Sequence, residues 1–71
     1  MPTIIHSPLS GRVASLCTQP QSAVASGDAL LIVESMKMEI PVEAECAGVV
    51  VKFLVGVGDE VSDGQALVEL Q

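Results

Sequence analysis

The stretch Leu30-Leu31-Ile32-Val33-Glu34-Ser35-Met36-Lys37-Met38-Glu39-Ile40-Pro41-Val42-Glu43 decides the fold. Folded back on itself with Met36-Lys37 as a two-residue loop, it sets Ser35 against Met38, Val33 against Ile40 and Leu31 against Val42. One face then reads Leu31, Val33, Ser35, Met38, Ile40, Val42, and the other reads Ile32, Glu34, Glu39, Pro41, Glu43. Side chains alternate across a strand, so this segregation is what a half-buried hairpin requires, and a slip of one residue would destroy it. Pro41 has no N–H to give to a ladder and should point its nitrogen away from the partner strand.

The same register puts Lys37 at the tip of the hairpin, where the turn chemistry is poor. Two-residue hairpin loops favour positive φ and are usually built from Asn-Gly or Asp-Gly; here they are Met-Lys. Glu34 also faces Glu39, and like charges across a strand pair destabilise it mildly. Local rules broken together at one exposed place point to a function. A lysine at a turn is ordinarily a solubilising residue. Two methionines beside it change the weighing, because flexible thioether side chains make an adaptable contact surface.

Outward from the hairpin, the chain repeats itself with a shift of 37 residues. Gly11 falls on Gly48, Val13 on Val50, Leu16 on Phe53, Val24 on Val61, Gly27 on Gly64, Ala29 on Ala66 and Leu30 on Leu67. The order of the matches implies two similar halves, each too small to bury its own apolar face. Short strands are expected at 3–6, 12–17, 29–35, 38–43, 48–55 and 66–70, with pieces near 23–24 and 60–61. Gly56-Val57-Gly58-Asp59, Ser26-Gly27-Asp28 and Ser62-Asp63-Gly64 read as turns. Gln21-Ser22, after Pro20, stands where the second half has Gly58-Asp59, and that turn is expected to differ in shape. No segment combines helical length with a helical period, so the class is all-β, a small sandwich or flattened barrel over a single domain, residues 1–71.

Size and charge exclude several functions. A chain of 71 residues buries only about 60% of its extended surface and has no room for a deep substrate pocket. The apolar runs fall far short of the ~20 residues that span a bilayer, and the N-terminus lacks a signal-peptide pattern, so a cytoplasmic protein without membrane association is the expectation. Nine acids against three bases give a net charge of −6, which argues against nucleic acid and is compatible equally with a basic protein partner and with a charge that simply keeps a small apolar domain soluble. His6 is the only histidine, and Cys17 and Cys46 form no CxxC pair; no metal site is expected. Both cysteines read as half-buried strand residues.

Glu34-Ser35-Met36-Lys37-Met38-Glu39 resembles the attachment motif of biotinyl domains, with Ser35 in place of the usual Ala. Glu-Ser-Met-Lys-Met-Glu-Ile-Pro is especially similar to small stand-alone biotin carboxyl carrier (biotin/lipoyl attachment) proteins. Pro8-Leu9-Ser10-Gly11 resembles the family's opening Pro-x-x-Gly turn, and Gly27 and Gly48 match its flanking glycines, so the resemblance covers nearly the whole chain. It implies a flattened barrel of two four-stranded antiparallel sheets related by a pseudo-twofold axis, of the type without a protruding thumb. It implies Lys37 as the site of covalent biotin attachment, with Met36, Met38, Glu34, Ser35 and Glu39 as the recognition surface. It further implies biotin protein ligase, a biotin carboxylase and a carboxyltransferase as partners. The domain itself, a monomer, would catalyse nothing and would serve as carrier in an acyl-CoA carboxylase system. The alternatives are a lipoyl or dual biotin/lipoyl carrier, though lipoyl domains usually have Asp before the lysine, and an unmodified interaction module.

Overall fold

The computed structural model describes residues 2–71. Eight strands follow one another: β1 (Thr3–His6), β2 (Gly11–Leu16), β3 (Ala23–Val24), β4 (Ala29–Ser35), β5 (Met38–Glu43), β6 (Gly48–Phe53), β7 (Glu60–Val61) and β8 (Ala66–Leu70). They form two four-stranded antiparallel sheets, ordered β1-β8-β6-β3 and β5-β4-β2-β7. Each strand of the first sheet corresponds, in order, to the strand of the second sheet that the 37-residue shift assigns to it. The two expected strands that ended late, 12–17 and 48–55, stop at Leu16 and Phe53, where the chain bends away toward the next turn.

The repeat extends to single hydrogen bonds. Gly58 N donates to Val13 O at 2.8 Å, and Gln21 N to Val50 O at 2.7 Å. Ser7 N donates to Gln65 O, and Ala44 N to Asp28 O, both at 2.8 Å. Even the side chains agree: Asp28 Oδ2 accepts from Ala25 N at 2.9 Å, as Gln65 Oε1 accepts from Ser62 N at 3.0 Å. The expected difference between the Gln21-Ser22 and Gly58-Asp59 turns is therefore wrong. Gln21 enters the left-handed region at φ 73°, beside Gly58 at 93°, and the two turns make matching backbone bonds. Tertiary pairing with β6 overrides the residue's own preference. Only the Asp59 carboxylate, which accepts from Gly56 N at 2.8 Å, sets the second turn apart.

Both halves supply the core in matched pairs: Val13 with Val50, Leu30 with Leu67, Leu31 with Val68, and Val33 with Leu70, every one at most 1% exposed. Leu30-Leu31 and Leu67-Val68 are neighbours buried together, which simple alternation forbids. A bulge resolves this in each half, because the β4–β5 register steps from Ala29 to Leu31 and the β1–β8 register from Val68 to Ala66. The cysteines are not half-buried strand residues as expected. Cys17 and Cys46 both lie in bends just past strand ends, exposed and free.

Gly11 positions the hairpin. A Cβ built there would lie 2.5 Å from Glu34 O and 2.7 Å from Val33 Cγ1, so only a residue without a side chain lets β2 approach β4 this closely. Gly11→Ala should cost about 1–3 kcal/mol through this overpacking, read as a lowered denaturation midpoint. Gln21→Gly should instead stabilise by about 0.5–1 kcal/mol, since relief of the left-handed strain outweighs the added chain entropy. Chemical denaturation of each variant measures both effects.

Candidate functional site

The β4–β5 hairpin forms in the expected register, with Leu31 opposite Val42, Ile32 opposite Pro41, Val33 opposite Ile40, Glu34 opposite Glu39 and Ser35 opposite Met38. Leaving only Met36-Lys37 unpaired makes Ser35–Met38 a hydrogen-bonded pair, and the pair type alternates from there. Pro41 thus falls in a non-hydrogen-bonded pair on an edge strand, where its missing N–H costs no ladder bond. Met36 and Lys37 both adopt positive φ, 51° and 67°. This is the type I′ turn that a two-residue loop needs, built from residues that resist it.

Burial falls off along the hairpin toward the tip. Val33 is fully buried, Ile40 and Ser35 are half-buried, Met38 is 61% exposed and Met36 is 92% exposed. Met38 does lie on the core-facing side of β5, as expected, but beyond the last layer of core residues. Lys37 is exposed, between two thioethers, on a backbone held at both ends by paired strands. A primary amine so placed can be approached by an enzyme from solvent without unfolding anything, and its acylation would bury no charge. The other lysine, Lys52, also has an exposed side chain, but its backbone lies within β6 opposite Glu69.

All six residues singled out from the sequence meet at this end of the molecule. One neighbour was not singled out. Arg12 on β2 pairs with Glu34 on one side and with Glu60 on the other. A row of Glu39, Glu34, Arg12 and Glu60 therefore crosses the outer face of the sheet. Glu34 and Glu39 form a non-hydrogen-bonded pair, the type that brings side chains closest, and Arg12 on β2 lies opposite Glu34 on its other side. The available signal was modest: Arg12 follows Gly11, the glycine that must touch β4.

With the geometry in place, comparison with known proteins defines the class. The family described as "Biotin-requiring enzyme" matches residues 1–70, and the chain belongs to this biotin/lipoyl attachment family. It is 36% identical over 69 residues to the mitochondrial propionyl-CoA carboxylase alpha chain of Sus scrofa, covering 97% of this chain and 10% of that one. It is 50% identical over 44 residues to a biotinylated protein TB7.3 homolog of Mycobacterium leprae, covering 62% of each. It is 35% identical over 69 residues to the biotin carboxyl carrier protein of acetyl-CoA carboxylase of Porphyra purpurea, covering 97% of this chain and 43% of the relative. The chain thus spans about a tenth of the length of the first curated relatives it matches. Among solved structures it superposes on Kluyveromyces lactis urea carboxylase with a TM-score of 0.96 at 30% identity, over 100% of this chain and 6% of that one. It superposes on the lipoyl domain of the 2-oxoglutarate dehydrogenase complex of Azotobacter vinelandii with a TM-score of 0.78 at 28% identity, over 96% and 94%.

The tip trades stability for the residues it carries. Met36→Asn with Lys37→Gly should stabilise the hairpin by about 1–2 kcal/mol, because Asn-Gly meets the type I′ turn without strain. Thermal unfolding of the double variant should show a higher Tm, and an unchanged or lower Tm would mean that the tip stores no strain.

Proposed function

We propose that this chain is a biotin carrier domain in a biotin-dependent carboxylase system, with Lys37 as the attachment residue. The observation that carries the proposal is the exposed, left-handed two-residue tip on which Met36 and Met38 bracket the amine. The names of the relatives support it, since they include carboxylase alpha chains, a biotinylated protein and a biotin carboxyl carrier. The domain catalyses nothing itself.

Lys37 Nζ is the nucleophile in loading. A lysine ammonium must shed its proton before it can attack, so biotin protein ligase supplies the base. The amine then attacks the acyl carbon of biotinyl-adenylate, an amide bond forms, the acyl–phosphate bond breaks and AMP leaves with the electron pair. Met36 and Met38 offer the ligase an adaptable apolar contact, while Glu34, Ser35 and Glu39 complete the surface it reads. Biotin, once attached, carries carboxyl from a biotin carboxylase to a carboxyltransferase. The chain's own part is to hold the attachment point on a paired, stiff base and so keep the tethered group at high effective concentration near both active sites.

Lipoate is the less favoured cargo. The likeness to a lipoyl domain indicates that the scaffold suits either acyl group, and the methionines on both sides of Lys37 favour biotin. Met36→Asp should therefore slow biotinylation and can be tested for gain of lipoylation.

Incubated with biotin protein ligase, ATP and biotin, the protein should gain the mass of one biotinyl group. Lys37→Ala should gain none while its stability stays within about 0.5 kcal/mol of the parent. The sharper variant is Met36→Lys with Lys37→Met, which keeps composition and charge and moves the amine by one place. Its modification should be much slower with little change in Tm. Equal rates for the two proteins, or efficient labelling of Lys52 in Lys37→Ala, would show that tip geometry is not what the ligase reads.

A further inference from the structure

Among the described residues, Met36 is the most exposed large apolar side chain at 92%, and Met38, at 61%, follows close behind Val57. The chain has a thin core and three methionines, yet two of them stand at the tip instead of filling gaps inside. A mild oxidant turns an exposed thioether sulfur from an apolar group into a polar one. The left-handed turn holds both side chains on either side of Lys37 with no core packing to shield them.

We propose that Met36 and Met38 form an oxidation-sensitive lock on Lys37: as thioethers they admit the acylating enzyme, and as sulfoxides they refuse it. The inference rests on the biotin-carrier reading above. The oxidant is a hydroperoxide. A sulfur lone pair attacks the distal oxygen, the S–O bond forms and the O–O bond breaks. The departing oxygen takes up a proton to leave as water or an alcohol, so sulfur loses two electrons and the peroxide gains them. The product is a strong hydrogen-bond acceptor where the partner expects an apolar surface, and an acceptor buried without a donor is costly. The fold is indifferent to the change, because neither side chain belongs to the core. Methionine sulfoxide reductases restore the thioether, which makes the lock reversible. The exposed cysteines are not part of it: Cys17 backbone N donates to Leu30 O and Cys46 lies three residues past Glu43, both at the end of the hairpin sheet remote from Lys37.

The test uses Cys17→Ser/Cys46→Ser protein, which removes competing thiol chemistry. It is treated with hydrogen peroxide until peptide mass spectrometry shows oxygen on Met36 and Met38, then freed of peroxide and given biotin ligase, ATP and biotin. Loading should be about ten-fold slower or more than in untreated protein, with Tm unchanged, and reductases A and B together should restore the rate. A Met36→Leu/Met38→Leu variant, compared with its own untreated rate, should lose nothing on peroxide treatment. Equal loading of oxidised and untreated protein would overturn the lock alone, as would a leucine variant slowed as much as the parent. Untreated protein that never gains biotin would overturn both readings.

Discussion

Neither half of this protein can bury its apolar face alone, and everything else follows from the need to bury it against its copy. Leu30, Leu31 and Val33 on one side meet the requirement only because Leu67, Val68 and Leu70 present the same surface from the other. Each fully buried aliphatic side chain contributes about 1.5–3 kcal/mol, and a small domain has few of them. The matched hydrogen bonds are the consequence. The same packing problem, posed twice, has the same backbone solution, down to a bulge that turns both Leu30 and Leu67 inward.

That constraint explains why the turn at Gln21 is strained. A glycine serves at the matching position, Gly58, yet Gln21 is pulled into the same left-handed conformation. Its N–H must reach Val50 O, as Gly58 N–H reaches Val13 O, for the strands to close on the core. The strain at Met36 and Lys37 arises in the same way. The register of β4 against β5 is fixed by Leu31, Val33 and Val42, which leaves two residues to close the loop whatever their identity. The core thus sets the conformation of an exposed tip that contributes nothing to it.

Most of this architecture was legible in the sequence, because it rests on period-two patterning and on a repeat. The hairpin register followed from segregating apolar from polar residues between Leu30 and Glu43, and the pairing of halves from the 37-residue shift. What escaped depended on tertiary detail. The shape of the Gln21 turn could not be read from local propensity, since β6 imposes it. Cys17 was misplaced by the single residue by which the expected strand overran Leu16, whereas Cys46 lies between strands whose facing ends were placed correctly, and only its residue type suggested burial. Arg12 escaped because its place between Glu34 and Glu60 needs the order of strands β4-β2-β7, which no local pattern reveals.

The pseudo-twofold relation also creates an asymmetry that a carrier can use. Two equivalent ends are generated, but only at one does the chain cross from half to half, and that crossing is the Met36-Lys37 tip. At the other, the described strands simply meet, with Thr3 opposite Leu70 and Gly48 lying against Gln71. Glu43, at the far end of β5 from the tip, is five residues before Gly48, so the tip and this meeting point lie at opposite ends of a molecule 33 Å long. An enzyme that engages the tip therefore works at a distance from the paired ends of β1 and β8. Here the separation results from repeating one small half and joining the copies through the paired β4–β5 hairpin.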